Sequence, residues 1–307
     1  MNDFRIPLGD WVEAFIAFIT ANFGVVFDFI RLIVNGAFEA MNFVLAAPPF
    51  YVIIAIAAGL GLATRGWKFA AGTVLGLGLI LGVNQWENAM ATLALVLVAS
   101  AIAIGLSIPL GVLAAKSSVA SSIIRPILDF MQTMPAFVYL IPALILFRVG
   151  EVPGIVATII FAMAPGVRLT ELGIRGVDKE VVEAGQAFGA SPWRILRQIQ
   201  LPLATPTIMA GINQVIMLAL SMVVIAGMVG AGALGGEIVA SLSRIDVALG
   251  FEAGLAVVIL AIFLDRITAT LGKGDTVLGR LVKKRTAARR QATDAAQPIE
   301  TPSPALV

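Results

Sequence analysis

Apolar stretches long enough to cross a lipid bilayer recur along this chain, and that recurrence limits the fold more than any motif does. They lie at about residues 48–64, 69–83, 89–115, 127–147, 154–170, 204–229 and 247–265, where a helix needs roughly 20 residues to cross a ~30 Å hydrocarbon core. The second is short, and the third is long enough to tilt. Composition agrees: the 307 residues are 59% hydrophobic and 13% charged, whereas soluble domains carry about 25% charge. A soluble fold of this size could not bury so much apolar surface. The expected class is an all-α integral membrane protein, a polytopic helical bundle with about seven spans.

The basic residues set an orientation, because cytoplasmic connections carry the excess of Lys and Arg. With the C-terminus inside, the cytoplasmic segments hold Arg65, Lys68, Lys116, Arg125 and the run from Arg168 to Arg197. The tail adds Arg266, Lys273, Arg280, Lys283, Lys284, Arg285, Arg289 and Arg290. Only Arg5, Arg31, Arg148 and Arg244 fall on the other side. An odd number of spans then puts the N-terminus outside.

Residues 1–47 read as a separate unit. On a helical wheel, Asp10, Glu13, Ala17, Thr20, Ala21, Gly24, Asp28, Arg31, Asn35 and Glu39 fall within an arc of roughly 100°, with Asn22 outside it. Trp11, Phe15, Phe18, Phe23, Phe27, Ile30 and Leu32 occupy the rest. This is the pattern of a helix lying in the membrane interface. A spanning helix over 14–34, with Asp28 and Arg31 paired, is the competing reading. Met1 to Asp10 has neither the basic start nor the compact apolar core of a cleavable signal. Ala46-Ala47-Pro48-Pro49 ends the helix, and two further spans fill 48–86.

Several functions are disfavoured by what the chain lacks. Cysteine and histidine are absent, which removes thiolate chemistry, the commonest general base and the commonest metal ligand. No catalytic residue, metal or cofactor is expected on this chain. A net charge of +2 gives nucleic acid no electrostatic footprint. Gly272-Lys273 superficially matches a phosphate loop, but Ile267 stands where the first glycine belongs and Gly274 where Ser or Thr would. No nucleotide site is therefore expected on this chain. The Gly72/Gly76 and Gly78/Gly82 pairs have helix-packing spacing and read as contacts within one subunit before a dimer face. Asp129 and Asp265 read as residues near the cytoplasmic ends of spans. The basic run Arg280–Arg290 reads as an inside flank, with anionic lipid as the alternative partner. Beyond residue 291 the Ala-, Pro-, Thr- and Gln-rich tail has no apolar periodicity and reads as disordered.

One connection is unlike the others. Residues 171–203 join two spans through about thirty residues, far more than helix–helix connections use. Asp178 is placed to cap a first helix running to about Phe188. Gly189 is placed to adopt the left-handed conformation that ends it, and Ser191-Pro192 to supply the N-cap and first residue of a second helix. That helix is expected to reach about Ile199, with Pro202 stopping it. Small residues Ala184, Gly185 and Ala187 leave room for a partner, and Glu183, Arg194 and Arg197 can orient it by charge.

The pattern Glu183-Ala184-Gly185, three residues, Gly189, nine residues, Ile199, one residue, Leu201-Pro202 resembles the EAA motif of ABC importer permeases, whose loop docks into a groove on the cytoplasmic ATPase. One position departs: Gly185 stands where the family usually has a second Ala, which keeps the residue small but weakens the helix by about 1 kcal/mol. Residues 128–142, Leu-Asp-Phe-Met-Gln-Thr-Met-Pro-Ala-Phe-Val-Tyr-Leu-Ile-Pro, are similar to a stretch of permeases for glycine betaine, proline betaine and choline. Residues 230–235, Gly-Ala-Gly-Ala-Leu-Gly, and 262–267, Ile-Phe-Leu-Asp-Arg-Ile, are similar to the same group. The resemblance covers about 87–270 and implies a type I importer permease core there, preceded by 1–47 and 48–86 and followed by the basic tail 271–307. It further implies a homodimer in the cytoplasmic (inner) membrane. Partners would be two ATPase subunits that hold ATP and Mg, and an extracytoplasmic substrate-binding protein.

Taken as one helix, residues 127–147 place Gln132, Pro135, Tyr139 and Pro142 within about 80° of each other. This face is the candidate wall of the passage. The two prolines loosen the helix, and the Tyr139 ring offers a quaternary ammonium a cation–π contact of roughly 0.5–2 kcal/mol. The competing reading packs these residues against neighbouring helices. An ion-coupled secondary transporter is the alternative function, yet such proteins place ionisable residues near the bilayer midplane, and the span centres here are nearly free of charge. Neither that reading nor an intramembrane enzyme explains the capped hairpin.

Overall fold

A computed structural model describes residues 6–273, and the basic run and tail beyond fall outside the described residues. The described chain is helical, without strands: α1 Leu8–Ala46, α2 Phe50–Arg65, α3 Trp67–Gly82, α4 Trp86–Lys116, α5 Ser118–Thr133, α6 Ala136–Phe147, α7 Glu151–Arg175, α8 Lys179–Ala187, α9 Pro192–Ile195, α10 Leu201–Ser221, α11 Val223–Gly227, α12 Ala233–Arg244 and α13 Val247–Lys273. A single π-helical stretch, Leu196–Gln200, joins α9 to α10.

The centre is made by α4, α7 and α10, and the closeness of their contact depends on residues without side chains. A Cβ on Gly111 would lie 2.5 Å from Thr170 Cβ and 2.7 Å from the Val167 carbonyl oxygen. A Cβ on Gly166 would lie 2.8 Å from Ser107. The Ser107 hydroxyl also donates to the Met163 carbonyl at 2.9 Å. These pairings increase together along both helices, so α4 and α7 run parallel. Gly211 meets Leu169 and Gly166, and Gly173 meets Ala204 and Thr207, so α10 runs antiparallel to α7. Ile155, Val167, Ala99, Ala103, Val215 and Ala219 are sealed between them.

This register defines two ends of the bundle. The C-terminal ends of α4 and α7 and the start of α10 share the end that carries α8 and α9, here the hairpin end. The starts of α4 and α7 share the far end. Phe50 of α2 stacks edge-on with Trp86 of α4 at 6.4 Å, so α2 starts at the far end. It finishes at the hairpin end, where Arg65 donates to the Arg266 carbonyl at 3.1 Å and to Thr270 at 3.0 Å. On α13, Asp265 accepts from Asn213 of α10 at 3.1 Å. The glycine-rich stretch 230–235 forms the turn into α12, and Gly235 lies so close to α11 that a Cβ there would be 2.1 Å from the Val223 carbonyl oxygen.

The span reading is altered in one place. Five described helical segments are long and apolar enough to cross a membrane: α1, α4, α7, Pro192–Gly227 and Val247–Thr270. The stretch 127–147, expected as one helix, is instead the pair α5 and α6, bent by 98°. Pro135 is the cause, since it lacks the amide hydrogen that would bond the Met131 carbonyl, and it pushes Met134 into extended backbone; Met134 has φ −71° and ψ 138°. Counting the bent pair gives six. The helices α2 and α3, at 16 residues each, are about 24 Å long.

The helix α1 is continuous, with one non-helical residue, Phe23. Its first half is exposed and its second half packs on the bundle through Phe27, Val34, Phe38, Met41 and Leu45. The Phe27 ring meets that of Phe147 at 5.6 Å, and Asp28 lies 3.7 Å from Arg148. Both partners precede α7, at the far end. The C-terminus of α1 leads directly into α2 beside Trp86, also at the far end. A helical stretch of about 28 Å thus begins and finishes at one end of the bundle.

Gly111→Ala is expected to lower stability by about 1–3 kcal/mol, because the α4–α7 contact has no room for a methyl group. Gly72→Ala, where nothing lies within 4 Å of the added Cβ, is expected to be neutral or stabilising by up to about 1 kcal/mol. Thermal unfolding of the detergent-purified chain measures both, and equal effects would remove the steric account of the α4–α7 contact.

Candidate functional site

The connection between α7 and α10 is the compact capped hairpin that its residue types specify. The Asp178 carboxylate accepts from the Glu180 amide at 2.9 Å and starts α8. Its last turn closes at Phe188, and Gly189 comes next with φ +75°, the left-handed region where a side chain would be strained. The Ala190 amide returns to the Gly185 carbonyl at 3.1 Å. Ser191 then caps the next helix by accepting from the Arg194 amide at 3.4 Å, with Pro192 at its first position.

Two local expectations change. Gly185 is not open to a partner from outside, because its missing Cβ is replaced by the hairpin's own Ile199, whose Cδ1 would lie 2.8 Å away. The motif positions Gly185 and Ile199 therefore act on each other, clamping α8 against the second helix. Pro202 does not stop that helix. The turn Leu196–Gln200 widens to π geometry, with the Leu201 amide bonding the Leu196 carbonyl, and the helix runs on through Pro202 into α10. A proline ring clashes with the carbonyl four residues back and brings no donor. One extra residue in the turn accommodates both faults, a common use of the π-bulge.

The exposed surface of the hairpin carries Glu183, Ala184, Ala187, Arg194 and Arg197. It also carries two aromatic rings to which residue spacing gave no role. Phe188 is 92% exposed and Trp193 67% exposed. No spacing signals either ring, because whether Phe188 or Trp193 packs inward depends on the neighbours it meets. Ile195 and Leu196 anchor the hairpin from below, Leu196 among Ile174, Ala204 and Ile208. Beside α8 opens a polar cleft of about 380 Å³, lined by Lys116, Arg175, Lys179, Glu183, Gln186 and Gln200. Lys116 donates to Gln200 at 2.6 Å across it, tying the end of α4 to the π turn. Leu201 and Pro202 sit at the start of α10, half-buried and exposed.

The second set of residues is divided by the bend. Gln132 stands in the last turn of α5, Pro135 at the break, and Tyr139 and Pro142 on α6, so one helical wheel no longer relates them. Gln132, Tyr139 and Pro142 are half-buried and Pro135 is exposed. The Tyr139 hydroxyl reaches back across the break to the Met131 carbonyl, and lies 3.4 Å from that of Met134. Met131 is the acceptor that the missing Pro135 amide would have used. Tyr139 thus replaces a backbone donor that no lipid could supply. Among the described residues no group of three His, Cys, Asp or Glu side chains could hold a metal.

Known proteins resemble this chain over most of its length. The family described as binding-protein-dependent transport system inner membrane component matches residues 107–274. A glycine betaine/carnitine transport permease of Listeria monocytogenes is 48% identical over 272 residues, covering 87% of this chain and 96% of the relative. The glycine betaine/proline betaine transport system permease of Escherichia coli is 46% identical over 268 residues, covering 87% of this chain and 76% of the relative. A glycine betaine transport system permease of Bacillus subtilis is 46% identical over 273 residues, covering 87% and 95%. Among solved structures, an inward-facing MetNI methionine ABC transporter aligns with TM-score 0.55 at 20% identity, over 60% of this chain and 92% of that one. The last likeness is one of fold.

Gly189→Val places a β-branched residue at positive φ, at a cost of about 1–2 kcal/mol or more, and is expected to loosen the hairpin. Gly185→Ala asks only for a small movement of the Ile199 terminal methyl and adds helix propensity, so the hairpin is expected to persist. Trypsin cleavage at Lys179 and Arg194 in membranes reads both. Faster cleavage in Gly185→Ala than in Gly189→Val would contradict this geometry.

Proposed function

The chain belongs to the family of binding-protein-dependent transport system inner membrane components, and from that premise we propose that it carries a small quaternary-ammonium solute, glycine betaine, proline betaine or choline, into the cell. As a member it is the membrane-embedded permease subunit of an ABC importer in the inner membrane, a transport subunit whose ATPase is a separate chain. The solute class is supported by relatives at 46–48% identity over 87% of the chain, which are glycine betaine permeases. A choline permease of Bacillus subtilis is 33% identical over 183 residues. ATP and Mg then reside on two ATPase subunits, and an extracytoplasmic binding protein delivers the solute.

In this reading the hairpin of α8 and α9 is the contact with the ATPase. Glu183, Ala184, Gly185, Gly189, Ile199, Leu201 and Pro202 divide the work. Gly185, Gly189 and Ile199 shape the hairpin, Leu201 and Pro202 carry it rigidly into α10, and Glu183 and Ala184 face the partner together with Phe188 and Trp193. Two bare aromatics on a surface destined for water are costly, and aromatic anchors dominate protein interfaces. The permease is proposed to act as a homodimer. The exposed apolar stripe Val119, Ile123, Ile127 and Phe130 on α5 is one surface that a second copy would cover. The bend between α5 and α6, with Gln132, Pro135, Tyr139 and Pro142, is proposed to border the passage.

The hairpin end is proposed to be cytoplasmic, as its basic residues require. Seven crossings are then made by α2, α3, α4, the α5–α6 pair, α7, α10 and α13. The helix α1, within the unit 1–47, is proposed to lie across the outer surface, a reading supported by its packed half starting and finishing at the far end. Residues 48–86 form an added hairpin, and 87–270 the permease core.

Four measurements test this. Uptake of radiolabelled glycine betaine by the chain with its ATPase and binding protein, in cells lacking other betaine transporters, is expected to require all three; uptake without the ATPase would restore the ion-coupled alternative. Cysteine at Asn22 is expected to react with an impermeant reagent from outside and cysteine at Ser191 only from inside, against a native background free of cysteine. Glu183→Lys is expected to abolish ATPase binding and uptake while the subunit still inserts. For the passage, Tyr139→Ala and Gln132→Ala are expected to assemble and hydrolyse ATP yet lose most uptake. Tyr139→Phe separates the ring from the hydroxyl that holds Met131. Ala variants that transport like the parent would remove this face from the passage.

A further inference from the structure

Among the described residues Glu171 is the one buried charged side chain, and neither the motif nor the exposed surface of the hairpin includes it. It stands one turn before the end of α7, directly ahead of the hairpin. Its side chain is 3% exposed. Oε1 accepts from Ser121 Oγ at 2.8 Å and Arg125 Nη2 at 2.9 Å, Oε2 accepts from Arg125 Nε at 3.2 Å, and Arg175 Nε forms an ion pair with Oε1 at 2.9 Å. Arg175 in turn donates to the Ala114 carbonyl at 2.7 Å. A buried carboxylate is tolerated only with its lone pairs filled, and apolar packing would often serve stability as well. Its use is then to specify position. Here it specifies how α5, α7 and α4 meet.

Those three helices are not equally fixed. The glycine contacts of α4 and α7 leave no freedom to slide. By contrast the buried apolar contact of α5 is Leu128 against Ala164 and Val167, flanked by Ile124, Met131, Leu110 and Met163, and its opposite face, with Val119, Ile123, Ile127 and Phe130, is exposed. What else holds it is charge: Glu171 with Ser121 and Arg125, and Arg168 with Asp129 about one turn further on. Glu171 thus pins α5 to α7 next to the hairpin.

We propose that Glu171 is a positioning residue for transport, which makes the α5–α6 bend follow displacement of the hairpin, so that movement imposed on α8 reaches Gln132 and Tyr139. This rests on the reading of the hairpin as the ATPase contact. Bidentate pairing by Arg125 supplies direction as well as attraction, and the shared Arg175 links the same carboxylate to the end of α4.

The test uses the complete transporter in proteoliposomes, with ATPase and binding protein. Arg125→Lys keeps the charge and removes the fork; Glu171→Gln keeps an acceptor and removes the charge. Both are expected to bind the ATPase and hydrolyse ATP near the parent rate, while solute moved per ATP falls at least about fivefold, the low end of coupling between linked sites. A general loss of stability would lower both activities together. Spin labels on cysteines at Ser122 and Gln186 supply the second readout. On nucleotide trapping, the distance between α5 and α8 is expected to stay constant in the parent and to change in the variants. Parental solute per ATP in Arg125→Lys, or a constant distance in it, overturns the proposal, and this holds even where Glu171→Gln fails to assemble. Full coupling in Glu183→Lys would instead strike the hairpin reading, and the Arg125→Lys ratio would still decide the pin.

Discussion

In lipid, apolar side chains gain little by meeting one another, so a helical bundle depends on close fit and on polar groups that have nowhere else to go. In this protein the fit is concentrated where α4 meets α7. Gly111 and Gly166 let the two backbones approach until Thr170 and Ser107 occupy the places of absent side chains, and the Ser107 hydroxyl adds a bond to Met163. Because the two helices run parallel, both deliver their C-terminal ends to the same side, and α10 starts there too. The hairpin can exist as a compact unit only because that rigid platform lies beneath it.

The hairpin itself is a local structure mounted on a long lever. Asp178, Gly189 and Ser191-Pro192 form it by capping and turn chemistry, and Ile199 fills the notch at Gly185. The π turn then lets the second helix run past Pro202 without interruption, so a push on α9 is received by the whole of α10. A helix that stopped at Pro202 would have left a flexible joint at that point. The buried Glu171 lies on the other strut, α7, and reaches sideways to α5. On the proposed reading, a force on the hairpin leaves along α10 and across α5 to the bend at Pro135.

The bend is where local and tertiary effects meet. Pro135 breaks the helix for a reason readable from its ring, yet the direction the chain takes beyond it depends on neighbours. Tyr139 satisfies the Met131 carbonyl, and Leu140 and Ala143 bury themselves beneath α6. The 98° turn is accordingly a stitched corner. A wheel drawn through residues 127–147 could not anticipate it, since a wheel assumes the very continuity that Pro135 removes. Pro202 shows the converse: it has the same missing donor, but a widened turn absorbs it and the helix continues.

The sequence by itself determined the solvent, the helical class, the basic side of the protein, and the caps of the hairpin, because these depend on residue type and on spacings of a few positions. It also carried the family pattern, whose small and apolar positions recur at fixed intervals. Only the tertiary structure decided that Gly185 faces Ile199, that Phe188 and Trp193 are bare, that the packed half of α1 begins and ends at one end of the bundle, and that Glu171 is buried among Ser121, Arg125 and Arg175. Each of these is a contact between residues distant in the chain or a choice of side-chain direction. Spacing alone carries no information about them, since they depend on which helix comes to lie against which.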